Sequence, residues 1–196
     1  EVSVAPNVPL DSGPSFAAQT VMFADGLRAA GTHFLWLIVL FLTLNSNFAA
    51  FGGALALAGV TGAFMGLFVG KWIDVGKGVN AARFGYGAMT LSSIVKCFGF
   101  HIPWTAVSAN ALYSPAWPSY ATALNSQVYN LARRSPCTLR FHIVAEGGWD
   151  LGVSIGCGLA ALILYTGASF FWPLAIGVVG TVLGYFVLVR VMEAAD

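Results

Sequence analysis

Long apolar runs alternate along this chain with short polar, glycine-containing breaks, and a bilayer-spanning helix needs about 20 predominantly apolar residues. By that ruler six spans are predicted, over about 27–48, 53–73, 81–102, 105–129, 146–165 and 170–189. The first two meet at a tight turn, Phe51-Gly52, and the fourth is the most polar and holds Pro115 and Pro118. Ahead of them, residues 1–15 carry three of the eight prolines and no apolar run, the character of an exposed tail. Residues 16–30 alternate apolar and polar positions near helical spacing, a pattern expected of a helix lying along a membrane surface. The division that follows is a tail with an interfacial helix over 1–26, a six-helix bundle over 27–190 and a short tail over 191–196.

Composition takes the pattern out of water. The chain has 196 residues, 58% of them hydrophobic and only 9% charged, with 23 glycines. Its mean hydropathy is +0.78. A soluble domain carries about 25% charged residues. Disorder needs low hydrophobicity and high net charge, and a nucleic-acid binder needs more than a formal net charge of +1. Three cysteines, two inside apolar runs, do not make a disulfide framework. The fold class is an all-α, multi-pass membrane protein.

Charge placement tests the number of spans independently, because Lys and Arg gather in short cytoplasmic loops. Lys71, Lys77 and Arg83 cluster where the second span ends and the third begins, and Arg133, Arg134 and Arg140 fall between the fourth and fifth. Arg28 stands at the very start of the first span and Arg190 at the end of the last. The alternate loops, around 45–53, 100–105 and 166–169, hold neither Lys nor Arg. Six spans put every basic loop on one side and both termini in the cytoplasm, and the expected location is a cell (inner) membrane.

Small residues repeat every four positions on the second span (Ala54, Ala58, Gly62, Gly66, Gly70), on the fifth (Gly148, Gly152, Gly156) and loosely on the sixth (Gly177, Gly180, Gly184). Such spacing lets two helix backbones approach closely, as generic packing or as a contact that slides. Ionisable residues within a span are functional candidates, and Lys96 is the one this span assignment singles out. It either snorkels to the outer interface or meets a substrate or counter-ion. Asn110, Ser114, Trp117, Tyr120 and Gln127 recur at roughly helical spacing on the fourth span, with Tyr113 and Asn125 beside them. That stripe faces a cavity or another helix, and the two prolines would kink it as in interrupted transport helices. Thr43, Asn45 and Asn47, at the outer end of the first span, are candidates to join the path.

The segment Gly70-Lys71-Trp72-Ile73-Asp74-Val75-Gly76-Lys77-Gly78 resembles the signature loop of the major facilitator superfamily, G-x-x-x-D-[RK]-x-G-[RK]-[RK], which joins the second and third helices of a six-helix half. Gly70 and Asp74 match in position. Gly76 comes one residue early, Val75 replaces a basic residue, and Gly78 interrupts the terminal basic pair. The resemblance implies one half of a two-half carrier, with substrate held between halves and moved by alternating access. A start at Glu1 without methionine, followed by a linker-like stretch, points to the C-terminal half. It also implies a latch at the cytoplasmic helix ends, centred on Asp74 with Arg133 or Arg134 and the start of the fifth span. An anion there is favoured by a helix N-terminus or a nearby arginine; as a loop acid, Asp74 is otherwise a solvated charge. Glu146 and Asp150, four residues apart, share one face near the expected start of the fifth helix. They either complete that gate with Gly70, Gly76 and Lys77 or serve as helix-start chemistry.

Nothing in the sequence points to catalysis. His33, His101 and His142 lie on three segments, Cys97, Cys137 and Cys157 form no C-x-x-C, and no phosphate-binding glycine loop is present. No enzyme activity, cofactor, metal or nucleic-acid partner is expected. The expected partners are the lipid bilayer, a small-molecule substrate and a second six-helix half. The rival expectation is a non-transporting scaffold subunit that packs among other membrane subunits.

Overall fold

The computed structural model describes residues 12–74 and 78–193. These residues are helical with short connectors, and no strand occurs among them. The first rod is continuous from α1 (Ser12–Ala29) through a π-helical turn (Ala30–Leu35) into α2 (Trp36–Thr43). There follow α3 (Phe48–Asp74), α4 (Gly78–Gly99), α5 (Pro103–Tyr113), α6 (Ala116–Ala132), α7 (Thr138–Tyr165) and α8 (Phe171–Glu193). Among the described residues, three stretches are long and apolar enough to cross a membrane: Gly13–Thr43, Phe48–Trp72 and Thr138–Tyr165. Phe171–Val187 is a shorter apolar helix.

The first rod corrects the reading of residues 16–30 as a surface helix. Ala18, Val21, Met22 and Ala24 are buried, and α1 packs chiefly between α7 and α8. The expected boundary at residue 27 falls in the middle of a helix. Glycines make this close packing possible. A Cβ on Gly148 would collide with the backbone of Gln19, one on Gly152 with Phe23, and one on Gly180 with Arg28. Gly26 returns the relation, facing the backbone of Trp149. The ladder on α3 is looser: Gly62 faces Ser114 and Gly66 touches Pro118, but Gly70 has open space around it.

Two turns follow directly from local chemistry. Asn45 and Ser46 adopt positive φ (54° and 57°) between α2 and α3, conformations that Asn tolerates best among non-glycine residues. Asn47 Oδ1 then accepts the Ala50 N–H at 3.0 Å, capping the first turn of α3. The fourth rod is broken at Ser114-Pro115, between α5 and α6. A proline inside a helix removes the N–H that would bond the carbonyl four residues back. Here that carbonyl, on Ala111, accepts the Thr61 hydroxyl of α3 at 3.2 Å instead.

The outside of the bundle is apolar. Phe64, Leu67 and Phe68 on α3 and Leu151, Ile155, Leu159 and Leu162 on α7 are exposed. Soluble monomers rarely present apolar surface on that scale. Asp25, Arg28, Thr32, Lys96 and Asn110 are instead buried, around α1.

Candidate functional site

Asp25 and Arg28 lie one turn apart on α1, and only 5% and 2% of their surfaces are exposed. Arg28 Nε donates to Asp25 Oδ1 at 2.6 Å. The same carboxylate accepts the Tyr120 hydroxyl at 2.6 Å on Oδ1 and the Trp149 indole N–H at 3.0 Å on Oδ2. An isolated buried charge is costly unless it is paired and hydrogen-bonded, and Asp25 has donors from α1, α6 and α7.

The cations form a second layer. Arg28 Nη1 donates to the Tyr113 hydroxyl at 2.6 Å, and the guanidinium packs about 5 Å from the Trp117 and Tyr120 ring centres. Lys96, 2% exposed, reaches from α4 to donate to the Thr32 carbonyl at 2.9 Å. Its Nζ lies 3.4 Å from the centre of the Tyr113 ring and 4.9 Å from that of Trp36, distances at which ring faces attract cations. Tyr113 thus holds Arg28 at its hydroxyl and Lys96 at its face. Thr32 closes the circuit, its hydroxyl donating to the Arg28 carbonyl at 2.7 Å and lying 3.1 Å from the Tyr113 oxygen.

These groups bound a cavity of about 490 Å³, within the range usual for small-molecule sites. Asp25, Arg28, Thr32, His33 and Trp36 reach it from the first rod, Leu55, Ala58 and Gly59 from α3, and Lys96 from α4. Asn110, Tyr113, Ser114 and Trp117 come from the broken fourth rod, and Trp149 from α7. Asn110 is fixed by accepting the Trp36 indole N–H at 3.0 Å and donating to the Ala54 carbonyl at 3.3 Å. Phe34, Leu55 and Trp117 are exposed, so the cavity opens on one face of the bundle.

The structure brings together Lys96, Asn110, Ser114 and Trp117 as cavity lining, with Tyr120 behind them on Asp25. Lys96 does not snorkel outward; its amine points into the bundle. Asn45 and Asn47 are exposed and away from the cavity, and their work is the turn before α3. Gln127 and Asn125, the far end of the polar stripe, are also outside it.

The centre of the expected gate lies outside the described residues. Gly76 and Lys77 lie outside them, as does the Asp74 side chain. Gly70, Arg133, Arg134, Glu146 and Asp150 are exposed, and the last four make no ion pair with one another. Because α7 begins at Thr138, Glu146 and Asp150 sit two turns or more beyond its N-terminus. That removes their reading as helix-start acids.

Asp25, Arg28 and His33 escaped the sequence reading. A span begun at residue 27 leaves Asp25 outside the membrane and Arg28 at its edge. The signal present in the sequence was the spacing of Asp25, Arg28, Thr32 and Trp36, which places an acid, a base, a hydroxyl and an indole along one helix face.

No protein-family model, curated protein or solved structure matches the chain.

Proposed function

We propose that this chain is one six-helix half of a membrane transporter that moves a small solute by alternating access. All six rods are then spans, with both termini cytoplasmic, in a cell's inner membrane, and the second half covers the open face of the cavity. The observation that carries this reading is the 490 Å³ cavity ringed by three buried ionisable side chains, Asp25, Arg28 and Lys96. Intramembrane ionisable residues mark substrate or ion pathways by default. The break at Ser114-Pro115 on the cavity wall adds to it, since discontinuous helices surround transporter binding sites. The partial signature loop around Asp74 supports a carrier of the major facilitator type. Three buried charges also weigh against a plain scaffold, for which apolar packing suffices.

The test needs no known substrate. With Cys97, Cys137 and Cys157 replaced by Ala, a single Ser114→Cys variant in sealed membranes is treated with a membrane-impermeant maleimide from each side. Alternating access predicts labelling from both sides. Labelling from neither side, in protein that is folded and inserted, would overturn the proposal.

A further inference from the structure

The cavity contains more positive than negative charge. Arg28 and Lys96 bring two cations, and Asp25 is the one acid among its lining residues. Asp25 already accepts from Arg28, Tyr120 and Trp149. The guanidinium spends Nε on Asp25 and Nη1 on Tyr113, and Nη2 has no hydrogen-bond partner among the described residues. Lys96 spends one of its three N–H groups on the Thr32 carbonyl. Arg28 Nη2 therefore keeps donors that the fold leaves unfilled, and beyond its one hydrogen bond the Lys96 amine meets only ring faces, in a place where unmade charged hydrogen bonds are expensive.

Much of the remaining wall is aromatic. Trp36, Trp117, Trp149, Phe34 and Tyr113 surround the space beside the two cations. The free Nη2 of Arg28 and the Lys96 amine can each take one oxygen of a carboxylate in charge-assisted hydrogen bonds, and flat apolar walls match a ring or a short hydrocarbon body rather than a compact, fully hydrated inorganic ion.

We infer that the cavity binds a small organic carboxylate, its charged end shared between Arg28 Nη2 and Lys96 Nζ and its apolar body lying among Trp36, Trp117 and Trp149. This rests on the transporter reading for what binding achieves, although binding itself is measured separately. Asp25 is a positioning residue here. It fixes Arg28 through Nε, while Tyr113 holds Nη1, and Nη2 is left for the ligand.

The experiment is a melting-temperature titration of the purified full chain in mild detergent, since a ligand that binds the folded state raises its stability with concentration. The probes are benzoate, its uncharged analogue benzamide, the cation benzylammonium and inorganic phosphate. Benzoate is expected to stabilise saturably, with benzamide weaker by roughly tenfold or more, the size of one charged hydrogen bond. Benzylammonium and phosphate are expected to give no saturable shift. In Lys96→Met and Arg28→Lys the benzoate midpoint should rise by roughly tenfold or more by the same reasoning. Arg28→Lys keeps the charge, so it remains informative if Arg28→Gln fails to fold. Equal response to benzoate and benzamide, preference for benzylammonium or phosphate, or no saturable benzoate response in folded protein would each overturn the inference. The two proposals fail separately. Benzoate binding without two-sided labelling at Ser114→Cys would leave an anion-binding membrane protein that does not transport. Two-sided labelling with a benzylammonium preference would leave a transporter of another substrate class.

Discussion

Arg28 Nε meets Asp25 Oδ1 at 2.6 Å within one turn of α1, with both side chains buried and glycines of α7 and α8 against the same helix. Burying the pair costs several kcal/mol of desolvation per ion, and the hydrogen bonds from Tyr120 and Trp149 offset part of it. Removing one partner strands the other, so Asp25→Asn or Arg28→Gln should each destabilise by about 3–5 kcal/mol. The double variant should cost less than the sum of the two. Thermal unfolding of the three variants in detergent checks this, and strict additivity would mean that the pair is not coupled.

Tyr113 is the hinge between the two cations. Tyr113→Phe retains the ring beneath Lys96 but removes the hydroxyl that accepts from Arg28. A lost hydrogen bond to a charged group is worth about 1.5–3 kcal/mol, and the loss should appear in the melting temperature. Trp149→Phe, which deletes the indole donor to Asp25, should cost a similar amount. A cost near zero for both would show that water replaces these partners.

The helical rods were legible because hydropathy reports contact with lipid. The stretches on α3 and α7 that fit the ruler are mostly on the outside, 22% buried in each case. The first rod is the opposite, 61% buried. Its residues touch other helices, so Asp25, Arg28 and Gln19 lower its apparent hydrophobicity without bringing it out of the bundle. The polar stripe on the fourth rod was legible by its 3.6-residue spacing, and its proline break by chemistry alone. The pairing of Lys96 with Tyr113 was not, because no local pattern records which helix a long side chain will cross to.

Close helix contact carries its own prediction. Gly152→Leu would drive a side chain into the backbone of α1 at Phe23, whereas Gly158→Leu points into open space. Overpacking costs about 1–3 kcal/mol where neighbours can shift, and backbone cannot shift far. The Gly152 variant should lose monodispersity in size-exclusion chromatography while the Gly158 variant keeps it. Equal behaviour would count against the α1–α7 crossing.

Asp74, the acid of the partial signature loop, has a role that rests on the proposed latch. If it holds the cytoplasmic helix ends together, Asp74→Ala should impair transport while leaving the protein in the membrane. It should also raise maleimide labelling of Ser114→Cys from the cytoplasmic side relative to the outer side. An unchanged ratio would leave Asp74 as a solvated charge.

Gly59 offers a way to block the cavity without disturbing its walls. It lines the space, yet a Cβ added there meets nothing within 4 Å. Gly59→Phe, at an exposed position on the cavity wall, should therefore bring its ring to the mouth of the cavity. The cost in folding is about that of an ordinary helix substitution, and Gly is itself about 1 kcal/mol unfavourable in a helix relative to Ala, so the melting temperature should hold or rise slightly. Benzoate stabilisation and labelling of Ser114→Cys should both fall sharply in the same variant. A stable Gly59→Phe protein that still responds to benzoate like the parent would place the ligand elsewhere, and the cavity would then lose its claim to be the site.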